Sequence, residues 1–286
     1  MPRHFLTGEE LTADELRQLI ERALLLKGDR RASNALAGKS VALVFDRPST
    51  RTRVSFEVGV AELGGHPVVL REGELQSSRG ESPRDTGLVL SRFVNAIGIR
   101  TGPQSRVEQL AAHSSVPVMN MLTQEHHPCQ ALADLLTLRE RFGDLRGLKL
   151  AYVGDGNNVA RSLLLVGARA GVEVVLSSPP ELALMGADNL PPEVAVNGAH
   201  AIYTDAWVSM GDEEEAEGKR SLLAPWRIDA ALMAKARDDA VALHCLPAHP
   251  GEEITADVLY GERSAVWDQA ENRLHAQKAL LELLLS

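Results

Sequence analysis

The same opening occurs twice in this chain, and it restricts the fold more than any other feature. Gly38 leads into an apolar run, Val41-Ala42-Leu43-Val44-Phe45, then a short polar loop, then apolar residues at helical spacing (Val54, Val58, Ala61). Gly147 leads into Leu148 to Val153, then the tight loop Gly154-Asp155-Gly156-Asn157-Asn158, then a helical stretch from Ala160 to Ala170. Continuous apolar strands alternating with helices mark parallel sheets buried on both faces. With 286 residues the chain has room for two such units. It is read as two α/β domains hinged around residues 130–147.

The bulk chemistry narrows the function. A net charge of −9, with no cluster of Lys and Arg, argues against nucleic acid and anionic membrane as partners. No apolar run approaches the length that spans a bilayer, and the first residues carry Glu9, Glu10, Asp14 and Glu15, unlike a leader peptide. Two cysteines, Cys129 and Cys245, provide no disulfide framework, so a cytoplasmic location is expected. Thr12 with Glu15 reads as a capping box at the start of a first helix.

Within the first opening, Pro48-Ser49-Thr50-Arg51-Thr52-Arg53 sits between strand and helix. Ser49 is suited to cap the helix, whose first turn then directs free N–H groups and a positive dipole end at an anion. The flanking hydroxyls and the guanidinium of Arg51 add donors matched to phosphate oxygens. The competing reading is a plain N-cap followed by two surface arginines. Gly38-Lys39-Ser40 is not a nucleotide P-loop, because Ser33 stands where the earlier glycine belongs and the tripeptide precedes the strand.

Further candidates sit at similar places. Residues 73–81 are polar and without period, a loop; a helix carrying Leu88, Val89, Phe93 and Val94 follows. Ala96 to Ile99 reads as a strand ending at Arg100, on the edge where open α/β sheets gather ligands. His126-His127-Pro128-Cys129-Gln130 opens a helix; a helix-capping His and a zinc ligand set are the alternatives, and the spacing is poor for zinc. The glycines at 154 and 156 invite a dinucleotide reading, but Val159 replaces the third glycine. Residues 177–198 are rich in Pro and Gly and read mostly as loop. Ala201 to Thr204 is a short strand followed by Asp205-Ala206-Trp207-Val208-Ser209-Met210-Gly211, which together with the charged run Asp212 to Glu217 reads as a loop able to close over a ligand. Val241 to Leu243 is a strand ending in His244-Cys245-Leu246-Pro247. A thiolate nucleophile competes there with a pocket-lining pair, and the second is preferred because neighbours on a strand face opposite ways.

Taken together, Ser49-Thr50-Arg51-Thr52-Arg53, Arg100, His127-Pro128-Cys129-Gln130, Asp205 to Gly211, His244-Cys245-Leu246-Pro247 and Glu271-Asn272-Arg273 resemble the aspartate/ornithine carbamoyltransferase family. The motifs follow the family's order over nearly the whole chain, and the Ser-Met-Gly and His-Cys-Leu-Pro stretches resemble its ornithine branch. The resemblance implies two doubly wound parallel-sheet domains. A carbamoyl-phosphate-binding domain is expected over residues 1–134 and an ornithine-binding domain over 147–263, with 264–286 a C-terminal helix packing back on the first. It implies carbamoyl phosphate held by Ser49, Thr50, Arg51, Thr52, Gln76, Arg100, His127 and Gln130, with Cys245, Leu246 and Arg273 around the carbamoyl group. Arg51, Arg100, His127, Cys245 and Arg273 are the expected catalytic set. L-ornithine would meet Asn158, Asp205, Ser209 and Met210. The implied reaction gives citrulline and phosphate in arginine biosynthesis, without metal or organic cofactor. The implied assembly is a homotrimer in which Gln76 reaches a neighbouring site. Alternatives are another acceptor amine, such as putrescine or an acylated ornithine, or a non-catalytic anion-binding regulator. Two departures stand out: the 177–204 segment is short for the family, and Pro250 replaces a frequent Arg.

Overall fold

The computed structural model describes residues 2–208 and 216–285. The chain forms two compact units, Met1–Leu136 with Glu271–Ser286, and Thr137–Ala270. Both are α/β, each built on a four-stranded parallel sheet.

In the first unit, α1 (Ala13–Gly28) begins at the Thr12/Glu15 capping box. Then come β1 (Ser40–Phe45), α2 (Thr50–Glu62), β2 (His66–Arg71), α3 (Pro83–Leu90), β3 (Ala96–Arg100), α4 (Gln104–His113), β4 (Val118–Leu122) and the start of α5 (Pro128–Phe142). The sheet order is β2-β1-β3-β4. β1 lies inside it, so Val41 to Phe45 are all buried, which is why this strand reads as an unbroken apolar run. Near the N-terminus, Phe5 bridges to Met119 beside β4 and is itself fully buried.

In the second unit, β5 (Lys149–Val153), α6 (Asn158–Ala170), β6 (Glu173–Ser177), α7 (Pro192–Val196), β7 (Ala201–Thr204), α8 (Ala216–Leu223), α9 (Ala230–Met233), β8 (Val241–His244) and α10 (Ala256–Leu259) follow in turn. The order β6-β5-β7-β8 repeats the first sheet's pattern. The crossover from β6 to β7 passes through α7, only five residues long, with Leu176 bridged to Asn189 on the way. The final helix, α11 (Val266–Leu285), carries Arg273. Within the first unit its Lys278 is fully buried, donating to the Arg30 carbonyl at 2.6 Å and to Glu62 at 2.9 Å. A buried ammonium is tolerated because both partners compensate its lost hydration.

Three local expectations need correction. The helix read through Val94 ends at Leu90, where Ser91 turns its hydroxyl back to the Gly87 carbonyl at 2.6 Å. The loop at 73–81 contains a 3-10 turn at Gln76–Arg79. Of the charged run read as loop, Glu217 stands in the first turn of α8. No helix among the described residues is long and apolar enough to cross a membrane.

Candidate active site

In both sheets every strand runs the same way, so the loops after the strands collect along one edge of each sheet. Two clusters of functional side chains form there, one in each unit.

The first begins at α2. Ser49 is extended (φ −161°, ψ 115°) and its hydroxyl accepts the Thr52 N–H at 3.3 Å, which is N-capping. The first turn holds no acidic residue, so nothing offsets the positive helix end. Thr50 is exposed and Arg51 half-buried, whereas Thr52 is buried and its hydroxyl accepts Arg273 Nη2 at 3.0 Å. Nη1 of Arg273 donates to Gln130 Oε1 at 2.8 Å, on the first turn of α5. His127 stands just before that helix, fully enclosed. Its pKa lies well below the ordinary value because burial disfavours the imidazolium, reinforced by Arg273, Arg100 and Arg51 in that order. All three arginines therefore act electrostatically on one imidazole. A neutral ring there keeps an N–H to donate and adds no charge to an already cationic pocket.

At the base of the cluster, Asp46 after β1 accepts the Thr101 hydroxyl at 2.6 Å and pairs with Arg106 at 3.3 Å, tying the ends of β1 and β3 together beside Arg100. Cys129 is buried and donates to the Asn120 carbonyl at 3.3 Å; burial pushes its thiol up to about 12, so it is no thiolate. Gln76 stands exposed on its 3-10 turn, and no hydrogen bond of its side chain joins it to the cluster among the described residues.

The neutral His127 carries a consequence for stability. Below about pH 6.5 the unfolded chain protonates an imidazole that the folded chain keeps neutral. Stability contributed by this site is therefore present above that pH and lost as pH falls through it. The expected slope is up to about 1.4 kcal/mol per pH unit. Urea unfolding at about pH 5.5 and about pH 7.5 should show a smaller pH difference for His127→Asn than for the parent.

The second cluster surrounds Asp205, just after β7. Its carboxylate accepts three donors at 2.8 Å each: the Ala206 N–H and the Cys245 thiol on Oδ1, and Asn157 Nδ2 on Oδ2. The Cys245 thiol is thus a donor, and the adjacent His244 faces elsewhere. Nδ1 of His244 accepts the Leu246 N–H at 2.8 Å, so the proton sits on Nε2, which donates to the buried Glu253 at 3.1 Å. That contact holds Leu246 at φ 60°, a conformation few branched residues adopt.

Asn157 is not among the expected ornithine contacts, yet its amide holds Asp205. Its Oδ1 caps α6 by accepting the N–H groups of Val159 at 2.9 Å and Ala160 at 3.2 Å, and also accepts the Tyr152 hydroxyl at 3.1 Å. Asn158, half-buried, is the first residue of α6. The two glycines of this loop answer to packing. Gly154 has φ 140°, and a Cβ at Gly156 would lie 2.2 Å from the Leu182 carbonyl oxygen. Close backbone approach within the unit therefore accounts for the pattern without a dinucleotide. Lys219 on α8 pairs with Asp155 at 2.7 Å and closes the same loop, a contact no spacing could reveal. Ser209 and Met210 lie outside the described residues.

Asp205, His244 and Cys245 offer donor atoms within 4.8 Å of one another, the geometry of a potential cation site. All three are already satisfied: the thiol donates to the carboxylate, and both ring nitrogens of His244 are engaged. The cluster needs no ion to balance it.

Residues 3–140 match the family model described as aspartate/ornithine carbamoyltransferase, carbamoyl-P binding domain, and residues 184–284 match its Asp/Orn binding domain. The chain belongs to the aspartate/ornithine carbamoyltransferase family. Family membership fits the division of the side chains, with Arg51, Arg100, His127 and Gln130 in the first matched region and Asp205, Cys245 and Arg273 in the second. The ornithine carbamoyltransferase of Acidothermus cellulolyticus is 52% identical over 100% of this chain and 97% of its own length. The solved ornithine carbamoyltransferase of Pyrococcus furiosus superposes with a TM-score of 0.93 at 45% identity, covering 98% of this chain and 96% of that one. The Thermus thermophilus structure of the same name gives 0.90 at 41%, covering 100% of each. The chain is therefore a carbamoyl-transferring enzyme.

Proposed function

We propose that this enzyme transfers the carbamoyl group of carbamoyl phosphate to the δ-amine of L-ornithine, releasing L-citrulline and phosphate, as a step of arginine biosynthesis. The observation that carries the donor is the capped, acid-free helix N-terminus at Ser49–Thr52, onto which Arg273 donates through the Thr52 hydroxyl, with Arg51 and Arg100 acting on the buried His127. The observation that carries the acceptor is the Asp205 carboxylate, fixed by three donors and suited to an α-ammonium.

In this reading Ser49, Thr50, Arg51, Thr52 and Arg100 hold the phosphate, while His127, Gln130 and Arg273 address the carbamoyl group with Cys245 and Leu246. The neutral δ-amine attacks the carbamoyl carbon, giving a tetrahedral intermediate with charge on its oxygen. Collapse expels phosphate, and the departing phosphate takes up the attacking amine's proton. The His127 N–H and the guanidinium groups stabilise charge as it grows on the oxygen and on the leaving group. Holding both reactants in place supplies the rest of the acceleration. Asn158 addresses the α-carboxylate, and Ser209 and Met210 complete the ornithine contacts. A cytoplasmic homotrimer with Gln76 lent to a neighbouring site belongs to the same proposal; light scattering should return the mass of three chains.

The acceptor is tested by colorimetric ureido-product formation with ornithine, N-acetylornithine, putrescine and aspartate in parallel. Activity with ornithine alone is expected. Preference for putrescine would remove the case for Asn158 as a carboxylate partner, and preference for aspartate the case for Asp205.

A further inference from the structure

The first cluster leaves one group without an assigned task. Asp134 lies in the middle of α5 and is completely buried, as are its sequence neighbours Leu132, Ala133, Leu135 and Leu136. A carboxylate in such surroundings is costly to bury and stays only where strong partners fix it. One turn earlier on the same helix, Gln130 donates from Nε2 to Asp134 Oδ1 at 2.8 Å, while its Oε1 accepts Arg273 Nη1 at 2.8 Å. Arg273 in turn donates to the Thr52 hydroxyl at 3.0 Å. The links therefore run in series: carboxylate, amide, guanidinium, hydroxyl.

Two members of this series have a fixed polarity, since the carboxylate only accepts and the guanidinium only donates. An amide can rotate and present either oxygen or nitrogen to its neighbour, whereas a carboxylate can only accept. With Asp134 ionised, the Gln130 nitrogen must face it, and the amide oxygen must face Arg273. We propose that Asp134 is a positioning residue for carbamoyl transfer: it anchors the Gln130 amide through its nitrogen, so that the amide oxygen is held firmly against Arg273 and keeps that guanidinium on Thr52 in the anion cluster. It touches no substrate itself. This rests on the reading that Arg273 and Gln130 serve carbamoyl phosphate.

The polarity of the series makes it testable by isosteric changes that leave the helix packed. Asp134→Asn exchanges the charge-assisted hydrogen bond on the Gln130 nitrogen for a neutral one about half as strong, so the amide is held less firmly against Arg273. Affinity for inorganic phosphate, read by calorimetric titration of the full-length enzyme, should fall about tenfold, with the KM for carbamoyl phosphate rising in parallel. The KM for ornithine should not move. Gln130→Glu alone sets two carboxylates against each other and should also weaken phosphate binding. In that background Asp134→Asn reverses sign: the introduced amide nitrogen donates to the introduced carboxylate at position 130, whose other oxygen then faces Arg273. Phosphate affinity should recover about tenfold. A purely structural role predicts additive losses, read equally in the unfolding midpoint. Additive effects on phosphate affinity, with Arg51→Ala still abolishing binding, would overturn the role of Asp134 and leave the anion site standing. Undiminished phosphate binding by Arg51→Ala would overturn both.

Discussion

Arg51→Ala should lower kcat/KM for carbamoyl transfer by about 10²–10³, the usual consequence of removing one donor aimed at developing charge. The size of the effect follows from where the side chain sits. It is half-buried in the first turn of a helix with no acidic residue there, beside an imidazole that it helps keep neutral. Water replaces a guanidinium poorly in such a place, because a mobile dipole must be reorganised as charge moves onto the leaving phosphate. Arg51→Lys keeps the charge and loses the planar fork, so it should fall between the parent and the alanine variant. Steady-state kinetics at saturating ornithine measure both. Unchanged kcat/KM in Arg51→Ala would remove the capped helix end from the anion site.

Asp205→Ala should act on the other substrate. Losing a charge-assisted partner costs about 1.5–3 kcal/mol, which corresponds to about 10- to 10²-fold in KM for ornithine. The KM for carbamoyl phosphate should stay near its parent value. The variant also strands the Asn157 amide and the Cys245 thiol, both of which donate to this carboxylate at 2.8 Å. Some loss of kcat through a displaced Cys245 is therefore expected alongside the larger effect on ornithine. Equal losses for both substrates would mean that Asp205 organises the unit and does not select the amine.

Local chemistry explains what the sequence disclosed. The Ser49 cap, the Thr12 capping box and the strand at Ala201–Thr204 are set by residues within a few positions of one another, so short-range rules reach them. α4 escapes such rules because Pro103 caps it without a side-chain hydrogen bond and only Val107, Leu110 and Ala111 mark its apolar face. β6 is masked by the proline-rich stretch that follows it, and α9 and α10, of four residues each, are too short to show a period.

At the clusters the limits are those of long-range pairing. Asn157 reaches a carboxylate 48 positions away, and Arg273 reaches Thr52 across 221. Nothing in either segment announces its partner. Asp134 does leave a signal: an acidic residue on the apolar face of a helix, four positions after Gln130, where side chains of one helix meet.

The most direct measurement follows ¹³C-labelled carbamoyl phosphate by NMR in the presence of ornithine and the enzyme. The label should move into the ureido carbon of citrulline, one for each phosphate released, at a rate set by the protein and lost in Arg51→Ala. If the label decays at the protein-free rate, or phosphate is released without a ureido product, the chain does not catalyse carbamoyl transfer to ornithine.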